Sequence, residues 1–191
     1  KVGHWSMSLD CLEDLLRRRI RPTAITYNSA ISACSKGGHW ERASGLLVSM
    51  RASALAPNVS TLGALLSGLE RAHRVREALR CLAAFEEGQV HADVAAYNSV
   101  ISACQGVQRW ESSLALLDAM RLRRVPPDVV SYNAAASALE SRGGWPRRHG
   151  GWQKVLALLR EMHVQVVAPD GVTHNAAIQA LAQAAEWPRA L

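Results

Sequence analysis

The stretch TYNSAISACSKGGHW, residues 26–40, returns in modified form as AYNSVISACQGVQRW, residues 96–110. Both copies keep a Tyr-Asn-Ser triplet, an Ile-Ser-Ala-Cys segment and a final Trp in the same places. Self-similarity at a fixed spacing is the sequence signature of repeat proteins, whose units pack mainly against their neighbours. These two stretches therefore predict a repeat architecture before any single residue is given a role.

Two residue types give the length of the repeat. Trp recurs at spacings of 35 residues or twice that, with seven extra residues in one copy, at Trp5, Trp40, Trp110, Trp152 and Trp187. Pro, or Ala in one copy, stands directly before the last residue of each unit, at Thr23, Asn58, Asp93, Asp128 and Asp170. We therefore divide residues 1–191, as a single solenoid segment, into four full units, 24–58, 59–93, 94–128 and 129–170, with partial units at 1–23 and 171–191.

Each unit contains two helical patterns. Apolar residues spaced by three and four mark a first helix in unit 24–58 at Tyr27, Ala30, Ile31 and Cys34, and a second helix at Ala43, Leu46, Leu47 and Met50. A Gly-rich turn joins the two, and Pro57 ends the second helix because proline cannot continue one. Since neither helix can bury its stripe alone, the sequence predicts an all-α fold, a right-handed α-solenoid of stacked helix–turn–helix repeats with about ten helices.

The composition is that of an ordinary globular protein with a basic balance. Hydrophobic residues make up 49% of the chain, and the formal net charge of +6 permits an anionic partner such as nucleic acid. No apolar run approaches the roughly 20 residues of a membrane-spanning helix, so no membrane insertion is expected. Because the chain opens at Lys1 inside a repeat, we expect it to be a piece of a longer protein whose targeting segment is out of view.

The residue pattern does not favour an enzyme. It contains no Ser-His-Asp set, no phosphate-binding Gly loop and no Cys or His pairs at metal-ligand spacing, so we expect no catalytic residues, no metal and no cofactor. The four cysteines alternate with Leu in the repeat: Cys34 and Cys104 share one position of the unit, and Cys11 and Cys81 share another. A Cys that replaces Leu is expected to be a small buried hydrophobe.

A polar stripe accompanies the apolar stripe on the first helices. Its members are Asn28, Ser32 and Ser35, then Asn98, Ser102 and Gln105, then Asn133, Ser137 and Glu140. An amide offers both a donor and an acceptor, so each Asn can match the edge of a nucleobase. The alternative is that each Asn caps its helix, since Asn is a favoured capping residue. The residues alone leave both interpretations open.

A 35-residue helix pair that opens with V-x-T/S-Y-N and closes with P-D resembles the P-type pentatricopeptide repeat (PPR). The matching openings are AITYN (24–28), VAAYN (94–98), VVSYN (129–133) and GVTHN (171–175), and the matching closings are APN (56–58), PPD (126–128) and APD (168–170). The tetratricopeptide repeat, at about 34 residues, matches less well because its W-x2-L-G-x2-Y signature is absent.

The resemblance implies sequence-specific binding of single-stranded RNA, one base per repeat, in RNA processing, stability or translation in a mitochondrion or chloroplast. It assigns base reading to the fifth and last residues of the units, which are Asn28, Asn58, Asp93, Asn98, Asp128, Asn133, Asp170 and Asn175. It assigns sandwiching of bases to the second residues Ile25, Val130 and Val172, and phosphate contact to Lys36 and Arg71. Gly63 departs from the pattern, because it leaves the fifth position of unit 59–93 without a side chain.

The pairing rules of the family predict a 5′-pyrimidine–any–U–U-3′ preference, because Asn with Asp selects U and Asn with Asn selects a pyrimidine, with C favoured. The alternative is a structural scaffold subunit of a large organellar complex, such as a mitochondrial or chloroplast ribosome, with protein or ribosomal RNA neighbours. The Gly63 gap and the arginine clusters at 17–21 and 121–124 leave this alternative open. The insertion RGGWPRRHGG (142–151) is either a tolerated loop or an exposed anchor carried by Trp145.

Overall fold

The computed structural model describes residues 4–107, 109–140 and 151–183, and every regular element within those ranges is an α-helix. The helices are α1 (His4–Arg17), α2 (Ala24–Lys36), α3 (Trp40–Ala52), α4 (Val59–Arg71), α5 (Val75–Glu87), α6 (Val94–Gly106), α7 (Trp110–Leu122), α8 (Val129–Glu140), α9 (Gly151–Val164) and α10 (Gly171–Gln183). The predicted all-α class and the number of helices are therefore confirmed. No described helix combines the length and apolar character that crossing a bilayer requires.

The chain forms two compact units, Lys1–Ser99 and Val100–Leu191. In the first unit, α2 packs against α1, α3 and α4. In the second unit, α8 packs against α7, α9 and α10. Both central helices thus contact the helices on either side of them in sequence and the next even-numbered helix, as expected where each repeat contacts only its neighbours. The single solenoid segment across residues 1–191 stays a prediction.

Each even-numbered helix is capped by the residue directly before it. Thr23 Oγ1 accepts a hydrogen bond from Thr26 N at 3.3 Å, and Asn58 Oδ1 accepts one from Thr61 N at 3.0 Å. The carboxylates of three further residues accept from the third helical residue in the same way, at Asp93, Asp128 and Asp170. These caps satisfy backbone N–H groups that the start of a helix leaves without an intrahelical partner.

Each odd-numbered helix from α1 to α9 ends in the same left-handed turn. One residue past or near the helix end has a φ between 57° and 60°, at Arg19, Ala54, Gln89, Arg124 and Val166. The apolar residue that follows donates its backbone N–H to a carbonyl five residues earlier, as Leu55 does to Met50 at 3.1 Å. This is the Schellman arrangement, which satisfies carbonyls at the helix end and turns the chain towards the next helix.

The predicted apolar stripes form the core. The first-helix stripe of unit 24–58 is buried at Tyr27, Ala30, Ile31 and Cys34. Long side chains that share one position of the second helix are at most 1% exposed, at Met50, Phe85, Met120 and Met162. The repeat therefore places equivalent residues in equivalent packing environments.

The cysteines follow this rule only in part. Cys34 and Cys104 are buried, and burial raises the pKa of Cys104 to about 11. Cys81 is half-buried, and its pKa is likewise raised to about 11 by burial. The prediction of a buried side chain is wrong for Cys11, which is exposed. Cys11 lies on α1, and the described residues include no helix before α1 that could cover it.

Tryptophans at the starts of second helices pair with cations of the following helix pair. The cation lies 4.6 Å from the ring centroid for Arg42 over Trp5 and for Arg74 over Trp40. Lys154 lies 3.5 Å from the centroid of Trp110. Since a cation over an aromatic face is attracted by the ring quadrupole, these pairs tie one helix pair to the next.

Candidate nucleic-acid interface

One open groove in the first compact unit collects six of the predicted site residues. It has a volume of about 1210 Å³ and is walled by α2, α4 and the start of α6. The six residues that line it are Ile25, Asn28, Lys36, Asn58, Arg71 and Asp93. Their convergence follows from the packing of α2 against α4, which brings equivalent positions of consecutive repeats onto one surface.

Asn28 is held at both ends of its amide. Its Nδ2 donates to Asn58 Oδ1 at 3.2 Å, and its Oδ1 accepts from Thr61 Oγ1 at 2.6 Å. The same Asn58 oxygen caps α4 by accepting from Thr61 N. Within the described residues, this leaves one N–H of Asn28, the NH₂ group of Asn58 and one lone pair of Asn28 Oδ1 for a ligand, so N–H donors predominate at the pair.

Asn133 repeats this arrangement in the second compact unit. Its Nδ2 donates to Asp170 Oδ1 and Oδ2 at 3.1 and 3.0 Å, and its Oδ1 accepts from Thr173 Oγ1 at 2.5 Å. The pKa of Asp170 is lowered, chiefly because Thr173 N donates to the carboxylate, and the Thr173 hydroxyl and the Asn133 amide add to this effect. Asp170 is therefore ionised and accepts only, so this pair presents one donor and one acceptor.

Unit 59–93 lacks the amide. Apart from the neighbouring residues and the local backbone of α4, no described atom lies within 4 Å of the position that a Cβ on Gly63 would occupy, so the groove is open there. Asp93 Oδ1 accepts from Ala96 N at 2.8 Å and caps α6. Ala96 also lacks the hydroxyl that Thr61 and Thr173 supply at the same position. Of the three polar side chains of the arrangement, only the last-position Asp93 is present here, because Gly63 replaces the Asn and Ala96 replaces the Thr.

The second residues of the units expose apolar side chains beside the reading residues. Ile25 is 78% exposed, and Val130 and Val172 are exposed as well. Exposed aliphatic groups at this position are available to the flat face of a base. Ser60 and Ala95 occupy the position in the other units and offer less apolar area.

The two predicted phosphate ligands lie at the helix ends that border the groove. Lys36 and Arg71 are the last residues of α2 and α4, and both side chains are exposed. Arg71 Nη1 donates to the Lys36 carbonyl at 3.4 Å, which holds the guanidinium near the end of α2. The arginine cluster on α1 is partly neutralised, because Arg17 and Arg18 pair with Glu13 and Asp14 at 3.4 and 2.8 Å.

Two family models match the chain. The PPR repeat family model matches residues 22–71, and the pentatricopeptide repeat domain model matches residues 80–139, together more than half of the sequence. The chain belongs to the pentatricopeptide repeat family. No curated protein matches it significantly.

Solved PPR structures share the fold. The pentatricopeptide repeat protein PPR10 from maize is 24% identical with a TM-score of 0.69, covering 97% of this chain and 26% of its own. PPR10 in complex with an 18-nt psaJ RNA element is 19% identical with a TM-score of 0.70, covering 94% of this chain and 25% of its own. The PPR domain of Arabidopsis thaliana protein-only RNase P 1 in complex with tRNA is 13% identical, with a TM-score of 0.76 and coverage of 97% and 90%. The chain spans about a quarter of the length of PPR10.

The structure excludes one of the two interpretations of the fifth-position Asn, and base reading stays a prediction. The capping interpretation is wrong, because Thr23 caps α2 and Asn28 lies five residues into that helix. Ser35 lines the groove with Asn28 and Ser32, as the polar stripe predicts, but it is only 2% exposed because Gly68 packs closely against it, with the position of a Cβ on Gly68 2.7 Å from Ser35 Oγ.

The remaining predicted PPR residues lie at the equivalent positions. Asn98 is half-buried on α6, Asp128 is exposed directly before α8, and Asn175 is exposed on α10. The insertion at 142–151, with Trp145, lies outside the described residues. Among the residues that are described, no His, Cys, Asp and Glu side chains form a group able to hold a metal ion.

Sequence reasoning missed the hydroxyls of Thr61 and Thr173. The signal was present, because a Ser or Thr stands three residues after the capping residue in four of the repeats, at Thr26, Thr61, Ser131 and Thr173. That spacing is typical of a capping box, in which the two residues bond to each other's backbone N–H. Such a pattern indicates the cap, but not the additional bond to an Asn of the preceding repeat.

Proposed function

We propose that this chain binds single-stranded RNA with base selectivity, as part of organellar RNA processing, stability or translation in a mitochondrion or chloroplast. The observation that carries the proposal is the set of polar atoms left over by the Asn28–Asn58 pair at the groove and by the Asn133–Asp170 pair in the second compact unit. PPR proteins are generally organellar, and solved relatives hold RNA. The role is one of binding, without catalysis, metal or cofactor.

The N–H donors and the carboxylate acceptor that remain on these two pairs support recognition of pyrimidine bases. Asn28 and Asn58 both present N–H donors, and on the Watson–Crick edge cytosine alone offers two adjacent acceptors, O2 and N3. Asn133 and Asp170 present a donor beside an acceptor, which matches O4 and N3–H of uracil. Other bases also carry a donor next to an acceptor on this edge, and among all such bases the pairing rules of the family select U. This agrees with the proposed 5′-pyrimidine–any–U–U-3′ preference and sharpens its first position to C.

Two further features support RNA rather than another ligand. Ile25, Val130 and Val172 expose aliphatic surface next to the reading residues, where a base can stack against it. Lys36 and Arg71 border the groove where a phosphate backbone would run. Only unit 59–93, with Gly63, lacks a reading amide, so one base in the site is read weakly or skipped.

The proposal is tested by selecting from single strands that are randomised over four positions, with the 191-residue chain as bait. We expect C at the first position and U at the third and fourth. The variants Asn28→Ala and Asn133→Ala should lose selectivity only at the first and fourth positions respectively. Equal binding to all sequences, with no response to either variant, would exclude base reading.

The arginines at the ends of second helices favour a second candidate, a scaffold subunit of a large organellar complex such as a ribosome. Arg19 and Arg124 lie in the exposed left-handed turns, and neither lines the described groove. Exposed Leu122 stands beside the second cluster. RNA binding that ignores the Asn variants, together with capture of a protein or ribosomal RNA neighbour through these arginines, would favour the scaffold.

A further inference from the structure

We infer that Thr61 and Thr173 are positioning residues that fix the amide of the fifth-position Asn, so that it presents an N–H donor to bases. The inference rests on the proposed function, since it concerns how the same amides meet RNA. Neither hydroxyl faces the groove as a ligand-binding group, because Thr61 and Thr173 are at most 1% exposed. Each acts through the Asn of the preceding repeat.

The hydroxyl proton is directed to the Asn oxygen. Thr173 Oγ1 accepts from Asp170 N at 3.2 Å, so its own proton is free to point elsewhere. The nearest acceptor is Asn133 Oδ1 at 2.5 Å, against 3.0 Å for Asp170 Oδ1. Thr61 shows the same order, with Asn28 Oδ1 at 2.6 Å and Asn58 Oδ1 at 3.1 Å. The hydroxyl therefore donates to one lone pair of the amide oxygen and, at the same time, completes the cap of the helix.

The other end of each amide faces an atom that can only accept. Asp170 is a carboxylate, and Asn58 Oδ1 is defined as an oxygen because it accepts from Thr61 N. An amide that flipped would bring oxygen against oxygen at one end and NH₂ against the donated hydroxyl proton at the other. The two contacts thus form a clamp that fixes the amide, engages its oxygen and leaves one N–H for a base.

The distribution of hydroxyls along the chain supports this role. A Thr or Ser follows in the next repeat wherever the fifth residue is Asn, in the pairs Asn28 and Thr61, Asn98 and Ser131, and Asn133 and Thr173. Where the fifth residue is Gly63, the partner is Ala96, although Asp93 still caps the helix there. Capping alone does not explain why the hydroxyl disappears together with the amide.

Thr26 supplies a matched control. Its hydroxyl forms the same reciprocal cap with Thr23 but bonds to no Asn within the described residues. Thr26→Val removes the hydroxyl that accepts from the backbone N–H of the capping residue, whereas Thr61→Val and Thr173→Val remove the same bond and also the bond to the Asn oxygen. Valine keeps the shape of threonine, so the comparison isolates the hydroxyl.

The first test measures base selectivity with strands that differ at one position. We expect Thr61→Val to weaken the preference at the first position, and Thr173→Val that at the fourth, by about 2- to 10-fold, the net worth of one hydrogen bond. Thr26→Val should lower the melting temperature to a similar degree and leave both preferences unchanged. Thr61→Val and Thr173→Val variants that lose thermal stability but keep full selectivity would overturn the inference.

The second test builds the clamp where it is missing. Gly63→Asn introduces an amide into open space opposite Asp93, and Ala96→Thr supplies the hydroxyl. We expect the double variant to gain a preference for U at the second position that is about 2- to 10-fold stronger than that of Gly63→Asn alone. Equal preferences in the single and double variants would contradict the role of the hydroxyl.

A measurement without RNA separates the inference from the proposed function. The Asn133 side-chain amide protons should exchange slowly with solvent in the unmodified chain and faster in Thr173→Val, as seen by NMR, with Thr26→Val unchanged. If this difference is seen but no strand binds selectively, RNA reading fails and the clamp stands. If strands bind selectively while exchange and selectivity are the same in all variants, the clamp fails and RNA reading stands.

Discussion

The last residue of a repeat uses one short side chain for two tasks. Asn58 and Asp170 each cap the following helix and hold the amide of Asn28 or Asn133. Both tasks require an acceptor within reach of the backbone N–H of the third helical residue, which Asn and Asp provide. The same side chain therefore positions the reading amide of one repeat and fixes the start of the first helix of the next repeat.

Asp170→Asn should change the base that is read at the fourth position. The substitution keeps an oxygen for capping but replaces the outward acceptor with NH₂, so the pair comes to resemble Asn28 with Asn58. We expect the preference for U over C to fall by about 10-fold or to reverse, since an unmatched polar contact costs about 1–3 kcal/mol. Binding measurements with U and C at that position check this, and the first position serves as the internal control.

The stability contributed by Asp170 should depend on pH in one direction. Its folded-state pKa is depressed, mainly by the Thr173 backbone N–H, so its contribution is present above the ordinary Asp value of about 3.9 and is lost as the pH falls through the lower folded value. The difference in unfolding free energy between the unmodified chain and Asp170→Asn should stay constant from pH 7 to about 5 and shrink below about 4. A difference that grows on acidification would contradict the assigned hydrogen bonds.

At the scale of the element, the second helices end in the same backbone conformation although the residue types at those ends differ. Second helices end in a left-handed residue that is Arg, Ala, Gln or Val and never Gly, at Arg19, Ala54, Gln89, Arg124 and Val166. This conformation is unfavourable for any residue with a Cβ and most unfavourable for a β-branched one. The turn persists because the following apolar residue and its backbone bond hold it in place, as Val167 does at 2.8 Å from Met162 O.

Val166→Gly should stabilise the protein. Val166 has a φ of 58° and is 92% exposed, so glycine relieves strain and loses little burial. We expect an increase of about 1 kcal/mol in the free energy of unfolding by denaturant, the strain relieved minus the added flexibility of the unfolded chain. Val164→Gly is the control: it is exposed at the helical end of α9 and should destabilise by about 0.5 kcal/mol. Destabilisation by both variants would argue against strain at position 166.

Across the whole chain, the net charge does not by itself give the number of cations that are free to contact a phosphate backbone. The formal charge is +6, yet Arg17, Arg18 and Arg74 pair with carboxylates, and so does Arg121, with Asp118 and Glu161. Lys36 and Arg71 are the predicted phosphate ligands that border the described groove. Because only these two cations are predicted to contact phosphate, the affinity for a nucleic acid is expected to depend weakly on salt concentration.

RNA affinity should therefore fall only gently with salt. For two phosphate contacts with a single strand, the slope of log K against log salt concentration should be about −1.4. Lys36→Gln with Arg71→Gln should bring the slope close to zero without altering base preferences. Arg17→Gln with Arg18→Gln is the control and should change nothing. A steep slope that is abolished by the control pair would instead support contact through the arginine cluster, as in the scaffold alternative.

Much of the fold could be predicted because it is periodic. Repeated apolar spacings indicated the helices, and Pro or Ala before a short polar residue marked the start of each first helix. The exposure of Cys11 could not be predicted, because burial of a repeat position depends on the neighbouring helix and not on the residue itself. The low exposure of Ser35 could not be predicted for a related reason: its surroundings are set by Gly68 on α4, one repeat away.

For the candidate site too, some features could be predicted from the sequence and others required the tertiary structure. The sequence by itself determined which residues recur at the fifth and last positions, and hence that amides and carboxylates are available. The tertiary structure alone decided that Asn28 does not cap its helix, that Asn58 does, and that Thr61 holds the amide between them. Those contacts join side chains about one repeat apart in sequence, and only the packing of successive first helices brings their atoms within hydrogen-bonding distance.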